Sequence, residues 1–337
     1  MKINIVNSLH PQAIGDAISA FPMLWTLARA APLSVYFSCA AVRPLCTFAE
    51  VADQPLDGPT LDVQEFAAAA EVRGLHLAQS WFWRLGIEAP KPPLAWPELP
   101  VTMPRAGFDL AIAPFSNSDP RGDKVPRMFW SARWPLAHWQ EVLSRLDEKR
   151  VCLLCAGSEE MEGLRQFATI VAGRDLRDVC GVLRNSAVVL TIDNGIGWLA
   201  QALGCRHVLL QPSRHFRGWT SNPNSNAVNL PNSASPGSLL KTINMLFAGK
   251  PVPIEQDIAF DRKIARLALL RAARFAVRGD RESAAASYRV WRPHATPAQL
   301  VLAGLEPFIA VGHIAASQAG RRFRRDHAPV PGSRRQA

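Results

Sequence analysis

Ala187-Val-Val-Leu-Thr-Ile-Asp-Asn-Gly-Ile-Gly-Trp-Leu-Ala-Gln-Ala-Leu-Gly204 is the stretch on which the reading of the fold turns. A short apolar, β-branched run ends at Thr191-Ile192. Asp193, Asn194, Gly195 and Gly197 follow, then a helical run from Trp198 to Leu203 that stops at Gly204. A second apolar run, His207-Val-Leu-Leu-Gln211, comes next. The pattern predicts strand, glycine-rich turn, helix, strand. In an open parallel sheet such a turn lies at the carboxyl end of a strand, where ligands bind. Its backbone N–H groups and the positive end of the helix suit a phosphate. The stretch therefore points to a nucleotide or phosphosugar site, although many such turns only connect elements.

Working outward, the same alternation recurs. Residues 2–7 read as a strand, followed by the loop Ser8-Leu-His-Pro-Gln-Ala-Ile-Gly15. Asp16 opens a helix over Ala17 to Ala30, with Ile18, Phe21, Leu24, Trp25 and Leu27 at helical spacing. Leu33 to Ser38 is a second strand, so the chain starts as a doubly wound sheet. Residues 53–105 alternate short helical patterns with turns, and Pro90 to Pro100 is too proline-rich for regular structure. A second α/β unit begins at Phe108 to Pro114. A long polar loop, Phe115 to Trp130, leads to a helix opened by Trp134-Pro. Arg150 to Ala156 is a strand, helices are expected near Glu160–Ala172 and Leu176–Arg184, and one more falls within 231–250. Two α/β halves joined by a proline-rich crossover imply a cleft, a preferred place for ligands.

The chain has 337 residues and 48% hydrophobic content, enough for two cores. No secretory signal is read at the amino terminus. No run of about 18 uncharged apolar residues occurs in the first 250. The best later candidate, Ala298 to Ala319, contains Glu306, Pro307 and His313 and reads as soluble or interfacial. Six cysteines are present. Cys152 and Cys155 have CxxC spacing but sit in a strand pattern, where residues three apart face opposite ways. They read as small buried hydrophobes. Of the net charge of +10, residues 256–337 carry +9, with 15 Lys and Arg against 6 Asp and Glu. Asp261 to Val277 reads as an Arg-rich amphipathic helix. Such a segment suits an anionic membrane surface or a solvated helix face. No aromatic-basic pattern of a nucleic-acid module appears, so no nucleic-acid partner is expected.

Three blocks resemble the family 9 glycosyltransferases, the ADP-heptose:lipopolysaccharide heptosyltransferases and their relatives. They are Ile14-Gly-Asp-Ala-Ile-Ser-Ala-Phe-Pro22; Arg133-Trp-Pro-Leu-Ala-His-Trp139 with Cys152 to Glu159; and Asp193 to Gly204. Order and spacing agree over roughly residues 3–250. The resemblance implies an α/β chain of GT-B type, with two Rossmann-like domains facing a central cleft. Residues 1–100 would form the acceptor domain and 101–250 the nucleotide-sugar donor domain. Outside the resemblance, composition and pattern read residues 251–327 as a helical basic extension and 328–337 as a disordered tail. The resemblance also implies inverting transfer without a metal or cofactor, with a nucleotide sugar such as ADP-heptose as donor.

The residues fit that chemistry. Inverting transfer needs a carboxylate to take the acceptor hydroxyl proton. Asp16 matches the family's base, its alternative role being a helix N-cap. The leaving diphosphate needs donors where charge develops, and Asp193, Asn194, Gly195, Ile196 and Gly197 form the expected phosphate loop. The family's Lys two residues before its Trp-Pro is Ala132 here, so Arg133 or Lys124 is the candidate cation. Gly157, Arg214 and Arg217 are candidates for the donor edge, and His10 and Gly15 for the acceptor loop. The family's His in the third block is Trp198, and its Ser/Thr is Asn194. An indole cannot accept or exchange a proton as an imidazole does. Two readings stay open: a cytoplasmic glycosyltransferase, with peripheral contact at the inner membrane face, acting on a glycan or glycolipid of the surface polysaccharide; or an inactive relative that binds a glycan, nucleotide or protein.

Overall fold

The computed structural model describes residues 1–72, 75–91, 93–102, 107–115, 134–146, 149–155, 158–211, 220, 222–250 and 284. The chain divides into two compact units, Met1–Phe260 and Asp261–Ala337. In the second unit only Ala284 is described, helical and half-buried. The expected basic helix and the Ala298 to Ala319 stretch thus lie outside the described residues. Among the described residues no helix is long and apolar enough to cross a membrane.

The first unit holds two parallel sheets. One comprises β1 (Lys2–Val6), β2 (Ser34–Phe37), β3 (Glu50–Ala52) and β4 (Thr60–Asp62) in the order β3-β2-β1-β4. All three pairings are parallel. The chain winds outward from β1 through β2 to β3 and then returns to place β4 on the other side of β1. The order therefore reverses between β1 and β4, the topological switch point of this sheet. The second sheet contains β5 (Phe108–Ala113), β6 (Val151–Cys155), β7 (Thr169–Ala172), β8 (Ser186–Ile192), β9 (His207–Gln211) and β10 (Ala227–Pro231). Its order, β10-β9-β8-β5-β6-β7, reverses between β5 and β8.

The helices follow the pattern with one informative break. The single helix expected over Ala17 to Ala30 is two: α1 (Ile14–Ser19) and α2 (Phe21–Ala30). Pro22 has no N–H to offer the carbonyl of Ile18, so the chain restarts at Ala20 with proline in the first turn of α2, where a missing donor costs least. The helix expected near Glu160–Ala172 is instead a 3₁₀ segment, Ser158–Phe167, followed by β7. The remaining helices are α3 (Val63–Val72), α4 (Leu77–Arg84), α5 (Leu136–Leu143), α6 (Leu176–Arg184), α7 (Gly195–Ala202) and α8 (Pro236–Phe247).

Strand alternation divides the second sheet between two cores. Leu110, Ile112, Leu153, Leu190, Val208 and Leu210 face α5 and α8. Ala111, Ala113, Cys152, Leu154 and Val189 face α6 and α7, and this side is continuous with the core of the first sheet. Cys152 and Cys155 accordingly belong to opposite faces. No disulfide joins any of the six cysteines. The proline-rich crossover is packed as well: Leu94 and Leu99 are buried in the first core, and Trp96 lies against it. The crossover thereby stays next to the point where the two switch points meet.

Candidate functional site

At the first switch point β1 gives way to Asn7, a buried side chain 4% exposed. Its Oδ1 accepts from the backbone N–H of Leu9 at 3.1 Å, the N–H of His10 at 2.8 Å and Nε2 of Gln64 at 3.1 Å. Its Nδ2 donates to Oδ2 of Asp16 at 2.6 Å. Asp62 closes the other side of the switch, accepting from the N–H of Ser8 at 3.2 Å and of Gln64 at 3.0 Å. The loop that carries His10 is thus tied to both strands, while the His10 ring itself is exposed.

Asp16 sits in the first turn of α1 but does not cap it. Ala13 occupies the cap position, with no side-chain bond. The carboxylate is therefore held by Asn7 and not by its own helix. Burial, reinforced by the Asp193 and Asp62 carboxylates, raises its pKa to about 6 against the opposing pull of the Asn7 hydrogen bond and of His10. Such a carboxylate is ionised near neutrality yet basic enough to take a hydroxyl proton. Behind it, Ser19 donates to the Asp16 carbonyl at 2.6 Å and accepts from Trp81 Nε1 at 2.8 Å, fixing α1 on α4.

At the second switch point β8 ends at Ile192, and Asp193 and Asn194 lead into α7. Asn194 caps α7 by accepting from the Gly197 N–H at 2.9 Å. Its Nδ2 donates to the carbonyls of Ala113 at 3.1 Å and Phe115 at 2.9 Å, so one side chain binds the ends of β5 and β8 together. The Asn194 side chain and the Gly197 N–H are thus engaged within the fold. Gly197 cannot carry a Cβ without standing 2.9 Å from Thr191 Oγ1. Gly195 and Ile196, both half-buried, present the other first-turn N–H groups, which have no partner inside a helix. Asp193 is half-buried, and its Oδ2 lies 3.4 Å from the Thr220 hydroxyl, which donates to it.

The two switch points meet. A Cβ on Gly15 would lie 2.7 Å from Cδ1 of Trp198, and one on Gly195 would lie 2.8 Å from Cβ of Ile14. The starts of α1 and α7 thus approach to backbone distance because each carries glycine there. Trp198, 5% exposed, packs beside His76 at 5.3 Å and Trp96 at 6.4 Å between ring centroids. His76 caps α4, its Nδ1 accepting from the Ala78 N–H at 3.3 Å.

Of the residues singled out in the sequence, the structure brings Asp16, Gly15, Asp193, Gly195 and Ile196 to one place, with Asn194 and Gly197 as supports and His10 on the adjoining loop. Lys124, Arg133, Gly157, Arg214 and Arg217 lie outside the described residues. The sequence reading missed Asn7, Asp62, Gln64 and His76. For Asn7 part of the signal was available, since it ends the first strand read from the sequence; Asp62 follows a strand that the sequence did not show, and the reversal of strand order beside both is a property of the fold. Among the described residues no group of three or more His, Cys, Asp and Glu side chains is placed to hold a metal ion.

Residues 129–238 match the sequence model of glycosyltransferase family 9 (heptosyltransferase). The match takes in α5 to β10 and the Asp193 turn, not the lobe that carries Asp16. Comparison with curated proteins gives no match. Solved structures share the fold. ADP-heptose LPS heptosyltransferase II of E. coli is 15% identical over 74% of this chain and 99% of its own, with a TM-score of 0.50. E. coli heptosyltransferase WaaC, solved with ADP, is 14% identical over 73% of this chain and 100% of its own, with a TM-score of 0.51. A family 9 glycosyl transferase from Veillonella parvula is 11% identical over 74% and 97%, with a TM-score of 0.53. The family resemblance read from the sequence is borne out over residues 129–238 by the family match. The parallel α/β architecture agrees with the heptosyltransferase structures.

Proposed function

We propose that this chain is an inverting, metal-independent glycosyltransferase that moves a heptose or similar sugar from a nucleoside diphosphate donor to a hydroxyl of a glycan or glycolipid acceptor. One observation carries this reading: a carboxylate with its pKa near 6 stands at one switch point, against the glycine-started helix of the other. Asp16 takes the acceptor hydroxyl proton as the new C–O bond forms at the anomeric carbon. The bond from that carbon to the diphosphate breaks, and the electron pair leaves with the diphosphate. The N–H groups of Gly195 and Ile196 and the positive end of α7 lie where that charge develops. Lys124 or Arg133, with Arg214 and Arg217, supply the cations that these few amides lack. Residues 1–100 receive the acceptor and 101–250 the donor, across the cleft between the two lobes. The basic stretch from 256 onward holds the protein on an anionic membrane surface, where a lipid-linked acceptor is presented at the inner face.

The test is a thermal-shift panel of ADP-, GDP-, UDP- and CDP-sugars, with ADP-heptose first, followed by donor-hydrolysis and transfer assays. Asp16→Asn lowers the rate about 10²- to 10⁴-fold, the range for a positioned general base. Undiminished turnover in that variant removes Asp16 as base. The buried Trp198, where the family has His, favours a second reading as a non-catalytic binding relative. Binding without turnover in the parent protein is its signature. For the tail, flotation with anionic vesicles before and after removal of residues 256–337 decides, and equal flotation of both overturns the membrane contact.

A further inference from the structure

The Asn7 side chain has one orientation open to it. Its Oδ1 receives two backbone N–H groups, from Leu9 at 3.1 Å and His10 at 2.8 Å, as well as the Gln64 amide at 3.1 Å. Rotating the amide by half a turn would set an NH₂ group against two N–H donors. The Nδ2 therefore faces Asp16, and its 2.6 Å bond to Oδ2 follows from the loop's own hydrogen bonds. Such a bond favours negative charge on the oxygen that accepts it. We infer that Asn7 is the positioning residue of this site, holding Oδ2 of Asp16 so that Oδ1 is the oxygen that receives the acceptor's proton. This rests on the reading of Asp16 as the base.

The surroundings give the amide its task. Asp193 ahead of α7 and Asp62 at the end of β4 face Asp16 with like charge, and His10 on the loop opposes them. The Cys39 thiol, after β2, also lies within electrostatic reach of Asp16. A half-buried carboxylate among two others needs a donor to stay ionised and in one orientation. Asn7 is the side chain that the structure shows donating to it. Because Asn7 is anchored through Gln64 to the start of α3, directly after β4, and to the loop through two backbone groups, the orientation of Asp16 is set by the switch point itself.

Asn7→Asp tests this in the full-length protein. The substitution keeps an oxygen for the Leu9, His10 and Gln64 donors, but it replaces the donor to Asp16 with a second carboxylate, whose charge also raises the midpoint. The Asp16 carboxyl is followed by ¹³C NMR in protein labelled at aspartate Cγ and is assigned by its loss in Asp16→Asn. Its midpoint is expected to rise by at least about one unit from the parent value near 6. The acid limb of the pH profile for ADP-heptose hydrolysis is expected to move with it. At pH 6 that shift lowers the ionised fraction from about one half to about one tenth, so the rate falls roughly five-fold. Asn7→Ser, which is neutral and too short to reach Asp16, removes the donor without adding charge, and the same rise in midpoint in this variant is the deciding result. An unchanged midpoint and acid limb in the folded Ser variant overturns the inference. Hydrolysis undiminished in Asp16→Asn would instead overturn the base reading, leaving the NMR midpoint to judge whether Asn7 holds the carboxylate.

Discussion

Gly15 and Trp198 occupy one space: a Cβ on residue 15 would stand 2.7 Å from Cδ1 and 3.2 Å from Nε1 of the indole. The first helix of one lobe and the first turn of α7 in the other are therefore specified together. A side chain at 15 displaces the indole at 198, and the indole in its present place leaves room only for glycine at 15. The pairing also explains where the indole goes. With α1 beneath it and His76 and Trp96 beside it, the ring is a packing element of the contact between the two sheets.

Gly15→Ala is expected to destabilise the protein by about 1–3 kcal/mol, the range for overpacking a filled site. In a Trp198→Ala background the same change is expected to be neutral or stabilising, because the space is open and alanine favours the helix by about 1 kcal/mol. A double-mutant cycle from urea unfolding measures the coupling. Additive effects would show that the two residues do not share the space.

Asp16 is kept at a cost. Its pKa is raised from 3.8 to about 6, chiefly by burial. The folded state therefore binds more protons than the unfolded state between those values, and its stability falls as pH rises through that window. Two units correspond to about 3 kcal/mol, or about 2 kcal/mol after allowing for water at a half-buried group. Asp16→Asn can still accept the Asn7 bond and is expected to be more stable than the parent by that amount at pH 8, with the advantage gone below pH 4. Thermal unfolding across pH checks it; an equal gain at both ends would mean the effect is not ionisation.

Asn194 separates a cap from a bridge. Serine at this position keeps an oxygen for the Gly197 N–H but cannot reach the carbonyls of Ala113 and Phe115, whereas alanine keeps neither. The expected order of stability is Asn, then Ser, then Ala. The loss of the cap accounts for about 1 kcal/mol between the last two, and the unpaired buried carbonyls for about 1–3 kcal/mol more between the first two. Chemical denaturation of the three proteins checks the order. Serine equal to asparagine would show that the bridge between β5 and β8 contributes nothing.

The central strands and most helices were legible because burial on both faces writes long apolar runs, as in Val188 to Ile192 and Val208 to Leu210, and because α6 has a strong one-sided pattern. β3, β4, β7 and β10 were not legible. Each is a strand at a sheet edge with a single neighbouring strand, so no continuous apolar run marks it. For the site, glycine and aspartate at the two βα turns could be read because the turn chemistry is local. Asn7 and Asp62 could not be paired with Asp16, because the link runs through a strand order that no local pattern encodes. Trp198 read as a departure from a family pattern; its meaning came from Gly15, which lies far away in sequence.

His207 gives the last prediction, because it opposes Asp16 in its effect on stability. The ring is fully buried, with Nε2 at 2.8 Å from Thr191 Oγ1 and Nδ1 at 2.8 Å from the Asn222 amide. The amide Nδ2 donates to Nδ1, so Nε2 carries the proton and donates to threonine, and both nitrogens are satisfied in the neutral ring. Burial pushes its pKa down from 6.5 to about 3. Between those values the unfolded state binds the extra proton, so this residue adds stability as pH rises, by about 1.4 kcal/mol per pH unit in the middle of the range. Asp16 subtracts a similar amount over pH 4 to 6. The two slopes nearly cancel, and together they leave stability close to flat across that interval. Asp16→Asn is expected to expose the histidine slope, with stability climbing from pH 4 to 6. His207→Asn, read against the parent, is expected to leave the aspartate slope, with stability falling over the same units. Urea midpoints at half-unit steps of pH distinguish them. Parallel curves for the parent and both variants would show that neither group titrates with folding.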